Sequence, residues 1–404
     1  MQRLTKMAAL GAVSALLLAA CSSHGKSTAP TTTPAGGSPS SATSSSASAS
    51  GPGSFGTLGQ VCGPGSAKGA TDTGVTDTEI HIGSIADVGW SAAPGLLQPI
   101  FDGADTFVGW CNAAGGINGR KIVLDKRDSA FSNFLPQVQK SCTSDLAIVS
   151  MAILDDTGVD AWQKCGLLNF TAATVGSKAA NAKDMYPMTP IPANQQTIGG
   201  FHIFFDQHPD WAKSVGSLYS NGVAGDREQH TYNEAITSIG GKIVYTAEYT
   251  PTTSNWTPFV QSMKKAGVKF LFLNDTANVT AGIEQAMATL GWYPDLQISP
   301  SQIYDTSTLQ LAGKNIKNYY TYIPTTPFEA ADTDATVKQF LGLLDQYAPK
   351  AHKTFFTSTT FSAWLLLAEA IKSCGDTVTR SCISNYVATQ TSWTGGGLQG
   401  PINP

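Results

Sequence analysis

From residue 80 to residue 374 the apolar residues recur first at strand spacing, then at helical spacing, then at strand spacing again. Few folds tolerate that rhythm. Ile80-His81-Ile82-Gly83-Ser84-Ile85 is a short β-type run, and the loop from Gly89 to Pro94 follows it. Leu97, Ile100, Phe101, Ala104, Phe107, Val108 and Cys111 then fall on one face of a helix. Gly115-Gly116 stops that helix, because glycine takes the left-handed cap position without strain. Asn118-Gly119 turns the chain into a strand over 121–124. Helices near 136–144 and 158–165 then alternate with strands over 146–150 and 167–170. Alternation of this kind predicts βαβ units on a parallel sheet.

The rhythm starts again downstream. A strand over 214–219 leads to a helix marked by Tyr232, Ala235, Ile236 and Ile239, which ends at Gly240-Gly241. Strands over 242–246, 269–273 and 296–299 enclose helices over 258–266 and 283–290. An extended stretch over 318–323 and helices over 335–347 and 358–374 close the chain. The length after residue 76, roughly 330 residues, exceeds one ordinary core. The expected class is therefore α/β, two doubly wound parallel-sheet lobes of one architecture.

The first 21 residues address the chain rather than fold it. Arg3 and Lys6 precede an apolar run over 7–20 that ends in small residues, the pattern of an export signal. Spanning a bilayer needs about 20 apolar residues, more than this run offers. Leu18-Ala19-Ala20-Cys21 resembles a bacterial lipobox, which implies that Cys21 is lipidated and becomes the N-terminus. Between Ser22 and Ser54 every residue except His24 and Lys26 is Ser, Thr, Ala, Gly or Pro. Such composition buries too little apolar area to offset the entropy of ordering. A flexible linker over 22–56 is expected, with a reach of about 30 Å; a glycosylated stalk would have the same composition.

Charge and cysteines narrow the class further. All 29 acidic residues lie from Asp72 onward, against 21 Lys and Arg, so the body carries a net charge of about −8. That balance disfavours nucleic acid and anionic lipid as partners. Apart from Cys21 there are six cysteines, which allow 15 pairings. Proximity favours Cys142–Cys165 and Cys374–Cys382, leaving Cys62–Cys111, as structural disulfides of an oxidising compartment. No C-x-x-C, G-x-S-x-G, H-E-x-x-H or G-x-x-x-x-G-K occurs, and among the histidines only His202 and His208, six apart, approach a metal-ligand spacing, for which helix-end and surface roles are the better explanation. A binding protein without cofactor or metal, not an enzyme, is the expectation.

Several runs together carry a family likeness. Gly83 with its Trp/Ser/Pro loop and long helix leads into Asn112-Ala113-Ala114-Gly115-Gly116-Ile117-Asn118-Gly119-Arg120-Lys121-Ile122. Ile239-Gly240-Gly241-Lys242-Ile243-Val244, Met263-Lys264-Lys265-Ala266-Gly267-Val268 and Phe361-Ser362-Ala363-Trp364 before Ala368-Glu369-Ala370-Ile371 add to it. From residue 76 to the end the chain resembles the type I periplasmic binding proteins, most of all the Leu/Ile/Val-binding branch. The resemblance implies a monomer whose two lobes, joined by three hinge strands, close on a small molecule and present it to an ABC permease and its ATPase. It also implies boundaries: a signal over 1–21, the linker over 22–56, one lobe from 57–205 plus 323–375, the other from 206–322 plus 376–404. The whole would be exported and lipid-anchored to the outer face of the cell membrane.

Ligands of open α/β sheets sit at the carboxyl ends of strands. The residues placed there are Trp90 and Ser91 after the first strand and Asp155 after the third. Thr171, Ala172 and Ala173 follow the fourth, Asp275 and Thr276 follow residue 273, and Gln302 and Tyr304 follow residue 299. Trp90 serves equally as a loop cap, and Asp155 or Asp156 as a helix cap. The likeness is incomplete at these loops. Met151-Ala152 stands where amino-acid binders offer hydroxyls, Ala224 where they often place a tyrosine, and Ser301-Gln302 where they place a carboxylate. An amide or other neutral polar solute therefore fits as well as an amino acid. A sensor for a membrane signalling protein is the alternative use of such a body.

Overall fold

Strand β1 (Glu79–Ala86) runs parallel to β2 (Lys121–Asp128) along its whole length, Glu79 opposite Lys121 and Ala86 opposite Asp128. Helix α1 (Gln98–Ala114) makes the crossover between them. Next come α2 (Phe134–Ser144), β3 (Ala147–Ser150), α3 (Val159–Cys165), β4 (Leu168–Thr171), the single turn α4 (Ser177–Ala180) and β5 (Met185–Pro187). The order is β2-β1-β3-β4-β5, all parallel. The computed structural model describes residues 51–404 except 92, 151–155, 222, 251 and 275.

The second sheet repeats the pattern. After α5 (Gly199–Gln207) and α6 (Pro209–Ala212) come β6 (Val215–Ser220), α7 (Val223–Ser238), β7 (Ile243–Tyr249) and α8 (Thr257–Ala266). Then follow β8 (Phe270–Leu273), α9 (Ala277–Leu290), β9 (Leu296–Ser299), α10 (Thr306–Ala312) and β10 (Tyr319–Thr321). The order β7-β6-β8-β9-β10 is again all parallel. Helices α11 (Ala335–Tyr347), α12 (Phe355–Ser373) and α13 (Arg380–Val387) finish the chain.

Strand β8 shows why the sheets are buried on both faces. Phe270 and Phe272 pack with Phe201 and Phe205 on one side, while Leu271 and Leu273 pack with Val260 and Met263 on the other. A period of two with apolar residues at both phases is what a central parallel strand requires. In the first lobe α12 fills the same role for the helical layer. Thr354 and Thr357 cap it reciprocally: the Thr357 N–H donates to Thr354 Oγ1 at 3.1 Å and the Thr354 N–H to Thr357 Oγ1 at 3.0 Å. Its Phe361 and Trp364 are buried, Trp364 stacking on Phe107 with ring centres 5.5 Å apart.

Three boundaries expected from the sequence move. Phe55 is fully buried and packs on Phe361 at 5.0 Å, so the body begins before residue 56, where the linker was expected to end. Phe201 and Phe205 belong to the second lobe's core, not to a first lobe reaching residue 205. Ile383, Val387, Trp393 and Leu398 pack in the first lobe's core with Ile80 and Phe361, so the stretch 376–404 belongs there and not to the second lobe. The hinge changes accordingly. The chain crosses after β5 and again after β10. Thr325 pairs antiparallel with Gln399, and Trp393 pairs with Ile402, folding the tail back. The tail lies along the second of these segments.

The disulfides Cys62–Cys111, Cys142–Cys165 and Cys374–Cys382 form with Cα separations of 5.2, 5.9 and 6.1 Å. Each ties helical or loop segments of the first lobe. Among the described residues no helix is long and apolar enough to cross a membrane. Cys21 lies outside the described residues.

Candidate functional site

Both sheets have the order in which two helical crossovers diverge from the middle of the sheet, between β1 and β3 and between β6 and β8. At such a switch point the strand tips leave a crevice, and ligands bind there. The tip of β1 is built by Asp87, which is buried. Its carboxylate accepts the Ser129 hydroxyl at 2.5 Å and the Phe131 N–H at 2.7 Å, locking the loop after β2 in place. Ala130 and Phe131 consequently hold positive φ angles of 43° and 70°, an unusual pair for residues with a Cβ. Phe131 stacks on Trp90, ring centres 4.4 Å apart and planes 13° from parallel. The two rings form an aromatic ledge, while Ser91 beside it is exposed.

The loop after β4 is more closed than expected. Thr171 is fully buried, and its hydroxyl donates to the Ala173 carbonyl at 2.7 Å, so it shapes its own loop. Ala172 is buried, and its carbonyl accepts the Thr189 hydroxyl at 3.4 Å. The hydroxyl left over belongs to Thr174, whose Oγ1 is buried without a hydrogen-bond partner. Asp156 caps neither of the elements next to it. Its carboxylate accepts the N–H groups of Lys178 and Ala179 at 2.9 and 3.2 Å, the first turn of α4. Asp155 and Asp275 lie outside the described residues.

On the second lobe, Thr276 occupies the N-cap position of α9 and Gln302 lies half-buried in the turn after β9. Tyr304 turns toward the seam between lobes. Its hydroxyl donates to the Glu329 carboxylate and accepts the Phe328 N–H at 2.7 Å, and its ring stacks on Phe328. Burial, and then the Glu329 contact, hold this phenol well above the usual tyrosine range. A cavity of about 360 Å³ opens here, lined by Tyr304, Leu309, Tyr319, Phe328 and Leu341. Tyr304 thus sits beside the second crossover.

Helix α7 contributes residues the sequence did not single out. Arg227 donates from Nε to the Ala193 carbonyl at 2.9 Å and from Nη1 to the Val175 carbonyl of the first lobe. Burial lowers its pKa, and Glu228 and then Asp156 favour its charged form. Glu228 accepts the Asn274 amide N–H. Thr231, one turn on, donates to the Arg227 carbonyl at 3.0 Å and accepts the Gln196 amide N–H at 3.0 Å. Arginine, carboxylate and two amides thus meet at the tip of β8, beside the first crossover and against the loop after β4. Ala224 lies within α7 and not before it. Among the described residues no group of three His, Cys, Asp or Glu is placed to hold a metal ion. The arrangement is one for hydrogen-bonding a polar molecule between two surfaces.

Comparison with known proteins agrees with that geometry. A family model described as periplasmic binding protein matches residues 79–403. No curated protein matches. Among solved structures, a branched-chain amino acid transporter substrate-binding protein, LivJ, from Streptococcus pneumoniae in complex with isoleucine superposes with a TM-score of 0.66 at 17% identity, covering 80% of this chain and 92% of that one. A fatty acid ABC transporter substrate-binding protein from Thermomonospora curvata gives 0.65 at 17% identity, covering 82% and 86%. A solute-binding protein from Rhodopseudomonas palustris in complex with 3,4-dihydroxybenzoic acid gives 0.62 at 17%, covering 78% and 85%. With two doubly wound parallel sheets and a family match over most of its length, the chain belongs to the periplasmic binding proteins, in their type I architecture.

Proposed function

We propose that this protein is the extracytoplasmic solute-binding component of an ABC importer, held to the outer face of the membrane through a lipid on Cys21. The observation that carries the reading is Arg227, which hangs on α7 of one lobe and bonds the Val175 carbonyl of the other. A solute that touches both lobes makes more contacts when they are closed than when they are apart, so it shifts the hinge equilibrium toward closure. A permease can then distinguish loaded from empty protein by shape. The solved relatives hold an amino acid in one case and an aromatic acid in another, so the architecture alone does not set the solute. Trp90 and Phe131 supply a stacking surface, and Trp90, Ser91, Asp155, the loop from Thr171 to Ala173, Asp275, Thr276, Gln302 and Tyr304 are proposed contacts.

Thermal-shift screening of a compound library against the full chain tests this. A bound solute raises the melting temperature, and alanine at Trp90 or Asp275 weakens it. A solute whose affinity is unmoved by Trp90→Ala, Thr171→Ala and Asp275→Ala together rules out this set of contacts.

A further inference from the structure

We infer that the solute presents N–H donors, as a carboxamide or urea-type group does, to the amide oxygens of Asn274 and Gln196 in the second lobe. The inference rests on the solute-binding reading above and names the class of molecule for it.

Two buried oxygen atoms carry it. Asn274 Oδ1 and Gln196 Oε1 have no hydrogen-bond partner and no contact with solvent. Rotating either amide by half a turn does not relieve it. Asn274 must aim its NH2 at the Glu228 carboxylate, because the reverse would set an oxygen against an anion. Gln196 aims its NH2 at Thr231 Oγ1 at 3.0 Å, since the reverse orientation would leave an NH2 with two donors buried in place of one acceptor. Both orientations are therefore fixed, and in both the group left over is an acceptor. Buried acceptors are nearly always matched in folded proteins, by protein, water or ligand.

The two acceptors are held by neighbours one turn apart on α7, so they belong to one surface. Charge on that surface is balanced, with Arg227 beside Glu228. A free carboxylate would bring only acceptors to a place that already holds two amide oxygens and Glu228. A carboxamide brings two N–H donors, and its carbonyl can accept from Thr174 Oγ1, the unpartnered hydroxyl next to Val175 on the facing lobe. One end of such a molecule would then be read by hydrogen bonds from both lobes. The Trp90–Phe131 ledge is available to an apolar or aromatic remainder.

The experiment uses matched triplets on the full chain: benzamide, benzoate and acetophenone, and isovaleramide, isovalerate and methyl isobutyl ketone, by titration calorimetry. Expected is binding by an amide at least 100-fold tighter than by the carboxylate or ketone of the same skeleton, since a site that hydrogen-bonds a group rejects the analogue lacking it. Gln196→Met removes one acceptor and should weaken amide binding at least 10-fold while leaving the ligand-free melting temperature unchanged or higher. A merely structural glutamine would lower that temperature instead. Carboxylates binding as well as amides, or Gln196→Met leaving amide affinity intact, overturns the inference and leaves the solute-binding reading standing. Waters filling both acceptor positions, with no triplet member bound, also overturns it. The wider reading falls separately, if no small molecule at all is carried by the protein.

Discussion

Glu284 lies on α9, fully buried, with the Lys317 charge only a weak counterweight to the desolvation of its carboxylate. Oε1 accepts the Gln297 amide N–H at 2.5 Å and Oε2 accepts the Lys317 N–H at 3.3 Å. Desolvation outweighs these bonds and raises the carboxyl from its ordinary 4.5 to about 7. The native state therefore keeps a proton that the unfolded chain has already lost between those two pH values. Stability must fall as pH rises through that window and level off above it. At about 1.4 kcal/mol per pKa unit, the full loss is about 3 kcal/mol, of which about 2.5 kcal/mol falls between pH 5 and pH 8. Glu284→Gln removes the titration and keeps an acceptor for Gln297, whose own unpartnered Oε1 can receive the new N–H. Urea unfolding of both proteins at pH 5 and pH 8 measures the effect. Wild type should lose about 2.5 kcal/mol relative to Glu284→Gln across that interval. Parallel pH profiles would show that the native carboxyl ionises like an exposed one, and the reasoning from burial would be refuted.

Asp145, whose side chain is fully buried, accepts two hydrogen bonds from Arg127 Nη2, at 2.9 and 2.8 Å. Asp145→Ala leaves a guanidinium without its partner and should cost about 3–5 kcal/mol in chemical unfolding. The double change Arg127→Met, Asp145→Leu should cost less than that single one. Cys21→Ala should abolish incorporation of an alkyne-tagged fatty acid and move the protein from the membrane fraction to the medium, as read by labelling and fractionation.

How much could be read in advance follows from where the pattern is strong. Strand β9 and helix α11 coincide with the sequence reading because each is a clean period between turn residues. Helix α7 was placed only from Tyr232, since its first turns, Val-Ala-Gly-Asp-Arg-Glu-Gln-His, show no apolar stripe. Those turns hold Arg227 and Glu228, so the charged part of the site went unseen along with them. Helix α5 begins at Gly199-Gly200, two poor helix formers, which hid it from the same test. Phe131 was not legible because its role depends on a positive φ that only the Asp87 lock explains. The tail from residue 380 scatters its large apolar residues, Ile383, Val387, Trp393, Leu398 and Ile402, and a hydrophobic pattern says that such residues are buried without saying in which lobe.

The claim that the two lobes hold a solute is tested most directly by what the full-length protein releases on denaturation after purification from membranes, read by mass spectrometry, with add-back monitored by small-angle scattering. One small molecule per chain is expected, and its return should reduce the radius of gyration. An empty protein whose radius does not change with any compound tried would contradict the claim.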